Sequence, residues 1–597
     1  MWVGGATDSF SEKKFRGRIR FISYLFIGFY FFITSRLFFL QIVKGGELAQ
    51  ASESNRTQII ALRAPRGEFL DRFGNVIVQN RPSWSLLYSV PEKITIDREM
   101  VQKYLNPFSQ SFPNYWEKRL QRAFETKQMV RLAEDISDDT AFVMRELEQL
   151  VPGLRVVMEF RRGYPVGNLA THIIGYLGEI NERELRNVNY TERKSGDLIG
   201  KMGLEKIFDK KIRGQDGGML IEVDSIGRLK KVIEELPFLR GGSVILTLDL
   251  NLQKVAEEEL AKTTTKRGAA VAIDLNTGAI LAWASQPTIN ALGSLGDELK
   301  DPNKPFLDRV YRGSYPPGSV FKIITAIAGF EKNAINLNEK IYCPGYLNLK
   351  DKNGKERRYG CWKIHGTVDF WKAMTESCDT YFYELGKKIG SQEIANHAFE
   401  FGFGQQVQGI LPGENKGVLP SPLWKRKIGL GGWSTGDTLN TSIGQGFITA
   451  TPLQVCVMMA VMANRGVVHR PYIVDRIIGP QGEILLKEEM SVIRTVQLKD
   501  NTWTLVNESL KNVVTQGTGV ATKIDGLDIR GKTGTAQNPQ GDDHAWFSVF
   551  AGYHGEKPSI ALCVFVENGG HGGAVAAPIA KKILETALPP KNLSIKS

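Results

Sequence analysis

Between Phe21 and Val43 the chain carries an apolar run interrupted only by Arg36, and Lys13, Lys14, Arg16, Arg18 and Arg20 precede it. A run of that length crosses the hydrocarbon core of a bilayer as one helix. The flanking positive charge favours retention of the preceding residues in the cytoplasm. The pattern therefore predicts a cytoplasmic tail over 1–18, a transmembrane anchor over 19–43, and the rest of the chain outside the cytoplasm. A cleaved signal peptide fits poorly, because the run is too long and no small-x-small site follows it. A buried core helix fits poorly with the basic flank. Arg36 is costly in hydrocarbon unless it snorkels to the outer interface near Val43 or meets a polar partner in the membrane.

The formal net charge of +12 suits nucleic acid, anionic lipid or an acidic polymer. The anchor removes nucleic acid from that set. With 597 residues, 42% apolar and 23% charged, the chain has the composition of a globular protein with ample core.

Three short segments then narrow the chemistry: Ser319-Val320-Phe321-Lys322, Ser377-Cys378-Asp379 and Lys532-Thr533-Gly534-Thr535. None is specific alone, since Ser-x-x-Lys recurs at Ser11–Lys14 and Ser-x-Asp at Ser137–Asp139. In this order and at this spacing they make an acyl-transfer site. The breaker run Tyr315-Pro316-Pro317-Gly318 predicts a helix from Ser319 to Phe330, with Ser319 and Lys322 on one face. A serine hydroxyl needs a base, and Lys322 serves only if burial or a second cation, for which Lys532 is the natural choice, lowers its pKa. The small residues around Lys532-Thr533-Gly534-Thr535 let a substrate backbone approach an edge strand, with Lys532, Thr533 and Thr535 offered to a carboxylate. The backbone N–H groups of Ser319 and Thr535 are candidates for an oxyanion hole.

With these residues in view, the chain resembles the class B penicillin-binding proteins, the peptidoglycan D,D-transpeptidases. Arg66-Gly67-Glu68-Phe69-Leu70-Asp71-Arg72-Phe73-Gly74 looks like the family's first membrane-proximal motif. Arg162-Gly163-Tyr164-Pro165 with His172-Ile173-Ile174-Gly175-Tyr176 looks like the second, and Gly203-Leu204-Glu205 like the third. The resemblance implies that Ser319 is acylated, Lys322 is the base, Ser377 relays a proton, and Lys532, Thr533, Gly534 and Thr535 hold the substrate. It implies stem peptides as substrate, β-lactams as inhibitors, no organic cofactor, and a RodA-like membrane glycosyltransferase as partner, since no glycosyltransferase motif is evident here. The closest subgroup is the elongation-type, penicillin-binding protein 2-like proteins, many of which carry Ser-x-Asp. The wider family usually has asparagine at position 379. An ionised Asp379 beside Lys322 favours the ammonium and works against a neutral base. The expectation is that Asp379 positions Lys322 and Lys532 through a shared polar network.

The expected fold class is α+β. The resemblance implies an elongated mixed α/β pedestal over 44–240, a serine transpeptidase domain over 241–587 with antiparallel sheet and helices, and a tail over 588–597. Gly268 to Asp274 and Ala279 to Ser285 flank Asn276-Thr277-Gly278, which predicts a hairpin. Long helical stretches are expected between the first and second motifs, and strands over His544–Tyr553 and Ile560–Glu567 after the third.

Of five cysteines, Cys456 and Cys563 sit in apolar runs and read as core. Cys343, Cys361 and Cys378, with His365 four residues after Cys361, either close a structural zinc site or supply one disulfide and an odd thiol. The resemblance favours zinc: some elongation-type members bind it here through Cys, His and Asp ligands. The carry-over is firm for His365 and Cys378, whereas Cys343 and Cys361 stand in place of carboxylates.

Other functions share parts of this pattern. Class A β-lactamases deacylate through a Glu-x-x-Leu-Asn segment, whereas Gly436-Asp437-Thr438-Leu439-Asn440 has glycine first. A D,D-carboxypeptidase would pass the acyl group to water and is not separated by the motifs. A division-type transpeptidase and a non-catalytic β-lactam-binding scaffold are the remaining alternatives. Trp433, Asp437 and Ser442 to Gly446 lie in a Gly-rich stretch fit for a groove wall and read mostly as packing and turns, and of His544 and Trp546, on the strand after the third motif, one could face the cleft.

Overall fold

A computed structural model describes residues 8–47, 57–91, 96–127, 129–194, 196–223, 229–291, 295–350, 356–407, 409 and 411–590. Of the two expected tails, residues 1–7 and 591–597 lie outside the described residues. The N-terminal helix Asp8–Phe38 continues as a π-helical turn over Phe39–Val43. Within it, Arg16–Val43 is long and apolar enough to cross a membrane, and its apolar side chains are exposed. The Arg36 guanidinium lies over the Phe39 ring at 5.6 Å.

The chain divides into two compact units. The first comprises residues 1–64, 82–160 and 215–239. It holds an antiparallel sheet with Gly217–Val223 between Thr57–Leu62 and Leu229–Leu236. Helices Arg98–Leu105, Trp116–Thr126 and Asp138–Leu147 share a core with strand Val130–Ile136. In Trp116–Thr126 the buried residues are Trp116, Leu120 and Ala123, one stripe at helical spacing.

The second unit comprises residues 65–81, 161–214 and 240–597, so parts of the 44–240 stretch cluster with the catalytic motifs. Its centre is a five-stranded antiparallel sheet in the order Ile280–Gln286, Gly268–Asp274, Ile560–Val566, His544–Tyr553, Leu527–Ala536. The predicted hairpin is present, with Gly268 opposite Gln286. Strand Ile560–Val566 is buried at every residue because the sheet is covered on both faces. Helices Leu250–Ala261 and Ala576–Ala587 pack one face, around Ala270, Ala272 and Leu562. The apolar helices Lys322–Glu331 and Pro452–Ala463 belong to the core on the other, around Ala269, Val271 and Ile273. A sheet covered on both faces reads as continuous apolar strands, which is how Ile560–Val566 is written.

Between the first two motifs the expectation of long helices is corrected. After Lys322–Glu331 come strands Ile341–Cys343, Tyr346–Lys350, Glu356–Gly360 and Gly366–Val368, and then the short helix Phe370–Thr375. Tyr346–Lys350 and Glu356–Gly360 pair as a hairpin, and Ile341–Cys343 pairs Gly366–Val368. The physical reason is alternation: Tyr346, Leu347 and Leu349 offer only a partly buried apolar strip, too short to fill a helix face.

The three membrane-proximal motifs converge on one buried ion cluster. Arg66 Nη2 is 2.7 Å from Glu205 Oε2 and 2.9 Å from Asp209 Oδ1, and Arg162 Nε is 2.7 Å from Glu205 Oε1. Burial raises the Glu205 pKa, but the two guanidiniums outweigh it and hold the carboxyl below its ordinary range.

A second buried carboxylate is left without a cation. Glu257 Oε1 accepts the Ala170 N–H at 2.8 Å and Gln253 Nε2 at 2.7 Å. Burial pushes its carboxyl up to about 7, against the pull of those two hydrogen bonds. A carboxyl with a raised folded pKa supports the fold while protonated, and that support is lost as the pH rises through about 7. Glu257→Gln should therefore melt at a higher temperature than wild type at pH 8, by a few kcal/mol at most, and match it near pH 5. Thermal melts at the two pH values measure this.

Candidate active site

Each catalytic motif is placed by local backbone requirements. A 3₁₀ turn, Gly318–Phe321, precedes helix Lys322–Glu331, so the predicted single helix begins one turn tighter. The side chains of Ser319 and Lys322 still share a face, since i and i+3 eclipse in a 3₁₀ helix. Gly318 is held at φ +55, and a Cβ there would stand 2.7 Å from Thr535 O. Gly444, at φ +73, would place a Cβ 2.2 Å from Gly318 O, and Gly318 N–H donates to Gly444 O at 2.9 Å. Two glycines thus let three backbones meet behind Ser319.

Lys322 is fully buried. Its Nζ donates to Ser377 O at 2.8 Å, Ser377 Oγ at 3.2 Å and Asp379 Oδ1 at 2.8 Å. Ser377 adopts φ +57, a left-handed conformation that costs a non-glycine residue about 1–2 kcal/mol. The turn is held by Cys378 N–H to Ala373 O at 2.9 Å and by Trp362 Nε1 to Ser377 O at 3.2 Å. Asp379 opens helix Asp379–Ile389, where a negative charge meets the positive end of the helix dipole. Burial raises the Asp379 carboxyl and Lys322 lowers it; the net shift is upward.

Lys532 is also fully buried, in the edge strand Leu527–Ala536, and donates to Thr533 O at 3.2 Å. Burial and the Lys322 charge push its ammonium well below the ordinary range, with Asp379 opposing. Of two buried lysines sharing one carboxylate, Lys322 has the direct ion pair and Lys532 the weaker hold on its proton. Thr533 Oγ1 lies 2.6 Å from Thr518 Oγ1, and Gly572 N–H donates to Thr535 Oγ1 at 3.4 Å.

A cavity of about 550 Å³ is bordered by Ser319, Ser377, Asp379, Thr533 and Thr535. Lys322 and Lys532 lie fully buried rather than on its wall. The cavity also brings in residues that sequence reasoning missed: Arg358, Tyr359 and Trp362 from and after the unexpected hairpin, Asn440 from helix Thr435–Ser442, and Thr518 and His571 from loops; Gln445, from the Gly-rich stretch read as fit for a groove wall, lines it too. Gln445 Nε2 stands 3.5 Å from Thr535 O. The only advance signals were the Gly-rich stretch around Gln445 and the aromatic pair flanking Gly360 and Cys361. His544 and Trp546 are buried, and Asp437 is paired with Lys425 at 2.6 Å.

The predicted Cys/His residues are brought together. One ligand atom from each of Cys343, Cys361, His365 and Cys378 lies within 4.8 Å of the others. None of the five cysteines forms a disulfide. His365 Nδ1 is 3.6 Å from Cys343 Sγ and 3.4 Å from Cys361 Sγ. A tetrahedral zinc with bonds of about 2.0–2.3 Å needs ligand atoms roughly 3.5–3.8 Å apart, so the donor set and spacing fit that ion. His365 Nε2 lies 3.2 Å from Glu376 O, which suits the tautomer that leaves Nδ1 facing the sulfurs. Cys361 Sγ accepts the Asp379 N–H at 3.2 Å, so a sulfur satisfies an otherwise unpaired donor at the start of the catalytic helix. Its thiol is driven down first by the hydrogen bond from Cys378, whose own thiol is driven up by the same contact.

Comparison with known proteins agrees with this geometry. The Penicillin binding protein transpeptidase domain family matches residues 268–585, and the Penicillin-binding Protein dimerisation domain family matches 61–246. The chain belongs to the penicillin-binding protein transpeptidases. It is 33% identical to the peptidoglycan D,D-transpeptidase MrdA of Acinetobacter baumannii, over 97% of this chain and 88% of the relative. Among solved structures it resembles Helicobacter pylori PBP2 in complex with MreC, with TM-score 0.72, 25% identity, and coverage of 89% of this chain and 99% of that one. It also resembles a chain of a peptidoglycan synthase complex that coordinates polymerization and crosslinking, with TM-score 0.68, 26% identity, and coverage of 97% and 100%. It is a serine acyl-transfer enzyme, a peptidoglycan D,D-transpeptidase.

Gly436 stands first in the Gly436-Asp437-Thr438-Leu439-Asn440 segment, where the class A pattern has glutamate. A Cβ there would stand 2.1 Å from the Tyr359 hydroxyl, so the hairpin tyrosine fills the space of a side chain at 436. Gly436→Glu should displace strand Glu356–Gly360, cost about 1–3 kcal/mol and confer no penicillin turnover. Hydrogen exchange over 356–360 and a drug-hydrolysis assay measure both.

Proposed function

We propose that this transpeptidase cross-links stem peptides during cell elongation through an acyl-enzyme on Ser319. The observation that carries the reading is the buried Lys322 ammonium, 2.8 Å from Asp379 and 3.2 Å from Ser377 Oγ, behind a cavity bordered by Ser319. Ser319 Oγ attacks the carbonyl carbon of the penultimate D-alanine, the terminal D-alanine leaves, and an acceptor amine then takes the acyl group. Thr533 and Thr535, with the Lys532 charge when protonated, receive the terminal carboxylate. Gly534 lets the substrate backbone approach the edge strand, and the N–H groups of Ser319 and Thr535 stabilise the oxyanion.

Proton movement follows from the two lysines. Asp379 holds Lys322 in place at 2.8 Å, while burial and the Lys322 charge weaken the hold of Lys532 on its proton. Ser377 Oγ, in contact with Lys322, passes a proton along this network, so that Lys322 becomes the base for Ser319 only as Lys532 takes the charge. β-Lactams acylate Ser319 by the same path.

Cys343, Cys361, His365 and Cys378 hold a structural zinc, which braces the Ser377–Asp379 turn and leaves no open coordination position for chemistry. The 44–240 stretch serves as pedestal and 241–587 as catalytic region. The basic flank supports a cytoplasmic N-terminus with the catalytic unit outside. The apolar span and Arg36 suit a RodA-like membrane glycosyltransferase as partner.

A fluorescent penicillin should give a stable adduct on Ser319 of the full-length protein, absent in Ser319→Ala. Rapid drug turnover would point to a hydrolase, and no labelling of folded protein would overturn the catalytic reading. Metal analysis of the purified protein should find zinc in stoichiometric amount, lost in Cys378→Ser. Zinc-free wild type carrying a disulfide would remove the metal assignment.

A further inference from the structure

Three of the four residues in the Cys/His cluster are thiols, and they differ in access. Cys343 and Cys378 are fully buried, whereas Cys361 is partly exposed and borders the catalytic cavity. The sulfurs of Cys361 and Cys378 lie within 4.8 Å of each other. Cys361 Sγ also accepts the N–H of Asp379 at 3.2 Å, and Asp379 is the carboxylate that holds Lys322 at 2.8 Å. Cys378 sits between Ser377 and Asp379 in the chain, and both of these touch Lys322. An oxidisable sulfur pair is therefore one residue from the catalytic lysine's anchors.

We propose that Cys361 and Cys378 are a thiol–disulfide modification site that switches the acylation step off, an inference that rests on the catalytic role given above to Ser319, Lys322 and Asp379. The oxidant is a disulfide of a thiol–disulfide exchange partner, R–S–S–R. The Cys361 thiolate, reachable from the cavity, attacks one sulfur of that disulfide, forming Cys361–S–S–R and releasing one thiolate, which is protonated to RSH. Cys378 gives its proton to solvent and attacks the Cys361 sulfur, forming the Cys361–Cys378 disulfide and releasing the second RSH. The two cysteines lose two electrons and the incoming disulfide gains them. Cys378 resolves the mixed disulfide because its sulfur already lies within 4.8 Å of the Cys361 sulfur.

Drawing the two sulfurs into a covalent bond pulls the Cys361 sulfur away from the Asp379 N–H it accepts and shifts the turn in which Ser377 is held left-handed. The same step takes two donors from the metal cluster. A displacement of about 1 Å in a catalytic group costs up to roughly a hundredfold in rate. Metal occupancy protects the pair, because a sulfur bound to an ion is a poorer nucleophile, so metal and disulfide compete for Cys361.

The test uses the full-length protein in detergent, as purified and after treatment with a chelator, exposed to oxidised glutathione. Peptide mapping reads the disulfide, a chromogenic chelator reads zinc release, and a fluorescent penicillin reads acylation of Ser319. The expected result is a Cys361–Cys378 disulfide, formed faster after chelation, with acylation slowed roughly a hundredfold and restored by dithiothreitol. Cys361→Asp, compared with its own unoxidised rate, should lose the sensitivity. The proposal is overturned if neither preparation forms that disulfide, if it forms and acylation is unchanged, or if Cys361→Asp is slowed as wild type is. A reduced protein that folds but never labels on Ser319 would instead remove the catalytic reading, while the mapped disulfide would still stand or fall separately.

Discussion

A buried ammonium without a partner costs several kcal/mol, and Lys322 is fully buried. Much of the catalytic unit is explained by what that charge requires. It needs a carboxylate, which Asp379 supplies, and acceptors for its remaining protons, which the Ser377 carbonyl and hydroxyl supply. To present both groups at once, the chain turns sharply between two helices, and Ser377 takes a left-handed conformation there. The hydrogen bonds from Trp362 and Lys322 to the Ser377 carbonyl offset that strain. The second lysine, Lys532, is buried close enough to feel the first charge yet has only a carbonyl for a partner. Burial and the neighbouring Lys322 thus lower the pKa of the Lys532 ammonium, while Asp379 opposes that shift.

The sheet provides the rigidity that such a site needs. Among the described residues strand Leu527–Ala536 is an edge that pairs through His544–Tyr553 alone, the kind of edge to which an extended peptide can add. Behind it, Gly318 and Gly444 bring the nucleophile turn against the edge strand at distances no side chain would allow. Precision at Ser319 therefore comes from backbone contact with a sheet buried on both faces, not from flexible side chains.

Much of this was legible in the residues. The anchor, the three motifs in order, the 268–286 hairpin, the edge strand and the grouping of Cys343, Cys361, His365 and Cys378 all follow from patterns with a stated physical cause. The segment between Glu331 and Phe370 was misread because its four strands are three to five residues long and mostly half-exposed. At that length apolar alternation is too brief to outweigh an expectation of helix. Tyr359 was missed for a related reason: its importance lies in filling the space above Gly436, a contact between residues far apart in sequence. The ion cluster of Arg66, Arg162 and Glu205 was visible only as three separate motifs, since burial and pairing are properties of the fold.

The Tyr359–Gly436 contact also bears on why an acyl-enzyme here should wait for an amine. Hydrolysis of a serine ester needs a base that activates water, and at 436, where the Glu-x-x-Leu-Asn pattern would put a glutamate, the chain has glycine with the Tyr359 hydroxyl packed against it. The neighbouring Asp437 is committed to Lys425 and to the Ser434 backbone. An acceptor amine is a far better nucleophile than water and needs less help. A glycine at 436 offers no side-chain base to water, which disfavours deacylation by water more than transfer to an amine, and a β-lactam, whose leaving nitrogen stays tethered to the acyl group, remains on the serine. The same hairpin leads through Gly360 to Cys361, so the element that packs against Gly436 is continuous with the cluster that holds the Ser377–Asp379 turn.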